Sequence, residues 1–228
     1  MRLTFINPNA TAAMTDNIVA SARAALPEAE ITGLTNRDGP PAIQGAADGA
    51  AALPGLLDRV REAVALGTQA IVIACFDDTG LAEAQAAAGC PVLGIGQSSY
   101  AMAAALGLRF SVVTSTAASV PVIEENIRQQ GFAGQCASVR ASGLAVLDID
   151  EGSERVRARL ADEIALASRQ DGAAAVVLGC AGMSGLRPDL AARTGVQLID
   201  GVAASAHLAR AAIALFAPAD PRKPGATA

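Results

Sequence analysis

Cys75 and Cys180 are the residues whose type and placement could do chemistry. The first closes the run Ala70-Ile71-Val72-Ile73-Ala74-Cys75, and the second closes Ala174-Ala175-Val176-Val177-Leu178-Gly179-Cys180. Each half of the 228-residue chain therefore ends an apolar strand in a thiol, and a helix is predicted to begin just after each one. A thiol at a helix amino terminus lies near unpaired N–H groups and the positive end of the helix dipole, which lowers its pKa. Two such thiols facing one carbon form a two-base device. One removes a proton, the other returns one to the opposite face, and the centre is inverted. The backbone N–H groups of Phe76, Asp77, Ala181 and Gly182 are expected to stabilise the developing enolate. Ala181 and Gly182 are small enough to let a ligand approach the backbone. The bland alternative is two small buried side chains at strand ends.

The elements that must position these thiols alternate. Strands are predicted at 2–6, 29–34, 70–74 and 91–95, with helices over 12–25, 47–66 and 98–106. The second half repeats the order, with strands at 109–114, 137–141, 174–178 and 196–199 and helices over 117–130, 151–169 and 202–216. Short apolar strands between helices imply parallel sheets covered on both faces. The fold class is α/β with two similar lobes, each a mainly parallel sheet flanked by helices. The first lobe is expected over 1–96 plus 203–216, the second over 97–202, and a mobile tail over 217–228. Ligands of open parallel sheets sit beyond the carboxyl ends of strands. A cleft between the lobes would bring the two cysteines together as the active site.

Composition narrows the function. The net charge is −5, tryptophan is absent and Tyr100 is the sole tyrosine, so a nucleic-acid partner has little to stack on or pair with. No apolar run has the length of a membrane span, and strand 2–6 begins too early for a signal peptide. A soluble cytoplasmic protein with a small-molecule substrate is expected, with no membrane or nucleic-acid partner. The four cysteines lack C-x-x-C spacing and His207 is the only histidine, so neither a zinc site nor a redox pair is predicted. Cys90 and Cys136 read as small buried hydrophobes. Gly94-Ile95-Gly96 is a weak echo of a dinucleotide loop, better explained by helix packing. The run Asp148–Glu151 reads as a helix start.

The chain resembles the aspartate/glutamate racemase superfamily, and within it the hydantoin racemases. The resemblance rests on Ile6-Asn7-Pro8-Asn9 with Thr11, Gly39-Pro40-Pro41, Ala74-Cys75-Phe76-Asp77-Asp78-Thr79-Gly80-Leu81, Arg109-Phe110-Ser111-Val112-Val113-Thr114, Leu178-Gly179-Cys180-Ala181-Gly182-Met183 and Asp200-Gly201-Val202. It implies cofactor-independent racemisation of 5-monosubstituted hydantoins through an enolate, with no metal. It makes Cys75 and Cys180 the paired acid and base, Asn9 a substrate-binding residue, and Thr114 with Ser115 the polar pair of the second lobe. Related enzymes racemise allantoin, and relatives suggest a homo-oligomer.

The departures concern substrate. Amino-acid racemases of the superfamily follow the first cysteine with Asn-Thr and the second with Thr-His. Here Phe76-Asp77 and Ala181-Gly182 follow them, which favours a neutral ring. Ile43, Phe76 and Tyr100 are the candidates for setting the C5 substituent. On their own residue types, Asn9 could equally be a turn or capping residue, and Thr114 and Ser115 strand-end turn formers. Asp77 and Asp78 could cap the helix after Cys75. Other reactions on the same scaffold are malonate decarboxylation and maleate isomerisation, and a two-lobed binding module is the alternative outside catalysis.

Overall fold

The structure is a computed structural model that describes residues 1–216. The expected mobile tail, 217–228, lies outside the described residues. The first half runs β1 (Arg2–Asn7), α1 (Ala12–Ala25), β2 (Glu30–Thr35), α2 (Ala46–Ala65), β3 (Ala70–Ile73), α3 (Leu81–Ala87), β4 (Val92–Gly94) and α4 (Ile95–Ala105). The second runs β5 (Phe110–Thr114), α5 (Val120–Gln129), β6 (Cys136–Ala141), α6 (Val146–Glu151), α7 (Glu154–Gln170), β7 (Ala175–Gly179), α8 (Arg187–Thr194), β8 (Leu198–Asp200) and α9 (Gly201–Phe216).

The strands form two four-stranded sheets with the same order, β2-β1-β3-β4 and β6-β5-β7-β8, and every pairing is parallel. The central strands explain this. Ala70–Ile73 and Ala175–Gly179 are buried at every position, so both faces must be covered by other elements. Alternate residues serve different layers. Ile71 and Ile73 point with Ile6 into the core under α2, with Leu56, Val60 and Ala63. Val72 points the other way with Leu3 and Phe5, into a second core that continues through Tyr100 to Phe110, Val112 and Val177 of the other sheet. The last helix, α9, returns to pack on α1, α4 and β3.

Strand order and register fix where functional residues can emerge. In each sheet the chain leaves the first strand toward one side and crosses to the other, so β1/β3 and β5/β7 are topological switch points. Ile6 pairs with Ile73, and Thr114 with Gly179. The segments beginning at Asn7 and Ala74 therefore leave the first sheet side by side, and those beginning at Ser115 and Cys180 leave the second.

Several elements differ from the sequence reading. No helix starts at Cys75. A turn intervenes, with Gly80 left-handed at φ 65°, and α3 begins only at Leu81. After Cys180 the chain makes a 3-10 turn over Ala181–Leu186 before α8. The helix expected over 151–169 is α7, which starts at Glu154, and the short α6 precedes it and ends where Gly152 sits at φ 64°. Ser153 then caps α7, its hydroxyl accepting the Val156 N–H at 3.4 Å. The run Asp148–Glu151 lies within the six-residue α6, with Asp148 in its first turn. Cys90 and Cys136 are only partly buried. No described helix is long and apolar enough to cross a membrane.

Candidate active site

A small cavity lies where the two switch points face each other. Cys75 and Cys180 both line it. So do Asn9, Ile43, Phe76, Asp77, Thr114, Ser115 and Ala181, whereas Gly182 lies outside the lining. Tyr100, a candidate for contacting the substituent, is absent from the wall. It is wholly buried, stacked on Phe110 at 5.6 Å and set edge-on to Phe76 at 5.7 Å. Its aromatic face serves the core. Met14, Ser119 and Val146 also line the cavity and were not foreseen. Ser119 stands one turn beyond Ser115, a spacing that could have pointed to it. Met14 and Val146 carry no chemistry that a sequence could flag.

The two sulfurs are set in similar ways. Backbone N–H groups bear on both sulfurs, that of Asp77 favouring a thiolate at Cys75 and that of Gly182 one at Cys180, each from two residues further on. Gly182 is small for a different reason as well. A Cβ there would come within 3.2 Å of the Asp150 backbone, so α6 and not a ligand occupies that space. The Thr79 hydroxyl adds a bond to Cys75, with Oγ1 3.6 Å from Sγ.

Both thiols are pushed up, not down. Burial is the main cause for each. The Asp77 carboxylate adds to the rise at both sulfurs, and Cys180 reaches about 12. The expected lowering by a helix terminus fails at Cys75 because α3 starts too late and the sulfur is enclosed.

Asn9 is oriented by its neighbours. Its Oδ1 accepts from the Asn7 side-chain amide and from the Thr11 N–H, each at 2.9 Å. That leaves its NH₂ with only the Met14 sulfur at 3.2 Å, a weak acceptor. The turn carrying Asn9 is pinned by Asn36, whose amide donates to Pro8 O at 2.9 Å and Ala52 O at 3.0 Å. Asn9 is thus both a turn former and a free donor at the cavity wall. Thr114 spends its hydroxyl proton on Gly179 O at 2.9 Å, tying β5 to β7 beside Cys180.

The two aspartates diverge. Asp78 does not cap the helix after Cys75. It accepts N–H bonds from Gly96 at 3.0 Å and Gln97 at 2.7 Å, capping α4 instead. Gly94 and Gly96 are glycines because a Cβ would strike this carboxylate. Asp77 lines the cavity, and its buried Oδ2 has no partner. Burial, then Asp78, then Asp48 raise its pKa to about 7. Among the described residues no lysine, arginine or histidine lines the cavity. Among the described residues no group of three or more His, Cys, Asp or Glu side chains could hold a metal ion.

The sequence profile of the Asp/Glu/Hydantoin racemase family matches residues 3–209. The chain belongs to that family. A hydantoin racemase from Rhizobium meliloti is 42% identical over 212 residues, which is 92% of this chain and 88% of the relative. Among solved structures, an allantoin racemase from Klebsiella pneumoniae aligns with a TM-score of 0.89 at 37% identity, covering 94% of this chain and 88% of that one. An allantoin racemase from Pseudomonas fluorescens aligns with a TM-score of 0.90 at 33% identity, covering all of both chains. Membership of this racemase family agrees with the two-lobed fold and with the resemblance read from the motifs.

Proposed function

We propose that this protein racemises 5-monosubstituted hydantoins without a cofactor, Cys75 and Cys180 exchanging the roles of base and acid at C5. The observation that carries the reading is that both sulfurs line one cavity, each leaving the switch point of its own sheet. One sulfur, as thiolate, takes the C5 proton. The bonding electrons move into the adjacent carbonyl, and the Asn9 NH₂ donates to the enolate oxygen. The opposite thiol then delivers its proton to the other face. The reverse reaction swaps the two. The N–H groups of Asp77 and Gly182 offset part of the cost of an enclosed thiolate.

The electrostatics favour a neutral ring. Among the described residues an anionic substrate would meet no cationic side chain in the cavity wall, and it would face the Asp77 carboxyl. A hydantoin ring brings N–H donors, which suit the partnerless Asp77 Oδ2. The apolar side chains of Met14, Ile43, Phe76 and Val146 suit an alkyl or aryl substituent.

Cys75→Ser and Cys180→Ser are each expected to abolish racemisation, followed as the loss of optical rotation of a single hydantoin enantiomer. Each should still exchange the C5 proton of one enantiomer for deuterium in heavy water, because one base survives. Normal racemisation by both variants would overturn the assignment. Allantoin is the second reading, favoured by its ureido N–H groups, which could also reach Asp77. The ratio of rates on allantoin and on a 5-alkyl hydantoin separates the two.

A further inference from the structure

Two sulfurs that must exchange roles are built differently. Cys75 accepts the Thr79 hydroxyl, 3.6 Å away. Among the described residues no hydroxyl bonds to Cys180. The opposing charges also differ. Asp77 and Cys180 act against a thiolate at Cys75, whereas Asp77 and Asp150 act against one at Cys180. Asp77 acts on both sulfurs, and among the described residues only the first carries the extra hydroxyl donor.

The geometry behind that donor is specific. The Asp78 N–H donates to Cys75 O at 3.0 Å and the Leu81 N–H to Asp78 O at 3.0 Å, folding the segment back on itself. That turn returns the Thr79 hydroxyl to the sulfur. Thr79 is buried, and its side chain lies beside Gly49 of α2. The Thr79 hydroxyl makes no other hydrogen bond among the described residues.

We propose that Thr79 is a positioning residue for Cys75: its hydroxyl orients that sulfur and sustains its thiolate, so one face of the substrate carbon depends on Thr79 and the other does not. The proposal rests on the two-sulfur reading above. Racemisation rates alone cannot reveal it. The two enantiomers have equal free energy, so kcat/KM must be the same in both directions whatever Thr79 does. The single-cysteine variants separate the faces.

Thr79→Val keeps the shape and removes the hydroxyl. In the Cys180→Ser background, C5 exchange by Cys75 should fall about tenfold, the effect of one hydrogen bond to a charged group. In the Cys75→Ser background, exchange by Cys180 should not fall with it. Thr79→Ser should restore the Cys75 rate. A readout that needs no substrate is the pH profile of iodoacetamide alkylation of the full-length protein, followed by mass spectrometry. In Thr79→Val the Cys75 profile should move to higher pH while that of Cys180 stays in place. Equal slowing at both sulfurs, or at neither, would overturn the proposal. If neither single-cysteine variant exchanges any hydantoin, the proposed reaction fails, and the alkylation profiles still decide the role of Thr79.

Discussion

The carboxylate of Asp78 fills the space that a side chain on Gly94 would need. A Cβ on Gly94 would lie 2.0 Å from Asp78 Oδ1. The same carboxylate holds the first turn of α4 through Gly96 and Gln97, and it accepts the Gln130 amide at 3.2 Å. Asp78 takes a left-handed backbone at φ 48°, which a residue other than glycine adopts only where its surroundings impose it. Cys75 stands three residues away on the same turn, so the seat of this carboxylate sets the first sulfur. Gly94→Ala should evict the carboxylate and cost at least about 2 kcal/mol in urea denaturation. Combined with Asp78→Ala, the loss should be clearly less than additive. Additive losses would mean that the two residues act independently.

Asn9 offers a test that separates turn formation from substrate contact. Asn9→Asp keeps both bonds accepted at Oδ1 and removes the NH₂ donor. If that NH₂ meets the enolate oxygen, kcat/KM should fall about a hundredfold, the usual scale for one oxyanion donor. The melting temperature should stay close to that of the parent at pH 8, because Asn7 and Thr11 keep their acceptor. Full activity in Asn9→Asp would reduce the residue to a turn former.

Much of this arrangement was legible in the sequence, and the failures have physical causes. The apolar runs before Cys75 and Cys180 announced buried parallel strands, and their ends pointed to the cavity that both cysteines line, because strand ends are where such sheets bind ligands. Asp78 was misassigned because its partners, Gly96 and Gln97, lie on a distant element that chain order alone does not bring near. Tyr100 was read as a pocket residue because an alanine-rich helix carries no clear apolar stripe, so its inward face is invisible. The direction of the thiol shifts was misread because a helix terminus is a local feature and burial is not. At Cys75 the enclosure outweighs every nearby donor.

The buried carboxyl of Asp77 makes stability depend on pH. Its folded pKa is raised to about 7 from an ordinary 3.8, with burial the main cause. Between those values the folded protein holds a proton that the unfolded chain has released. Its contribution is fully present below the ordinary value and is lost as pH rises through about 7. Asp77→Asn removes this dependence. The melting temperature of the variant minus that of the parent should therefore grow from pH 4 to pH 7 and level off above it. A difference that is flat across that range would mean that Asp77 titrates normally in the fold.

Asp77 should also restrain both sulfurs at once, since its charge opposes a thiolate at Cys75 and at Cys180. At pH 8 the parent carries that charge, because the carboxyl titrates near 7. Asp77→Asn preserves the shape and removes it. Iodoacetamide should then alkylate both cysteines faster at pH 8, by about threefold to tenfold, the effect of lowering a pKa by up to one unit. The gain should shrink below pH 7, where the parent's own carboxyl takes up a proton and the two proteins become electrostatically alike. Acceleration at Cys75 alone would show that the charge acts only through its neighbour in the chain. Acceleration at both would show that one carboxyl faces both sulfurs across the cavity they share.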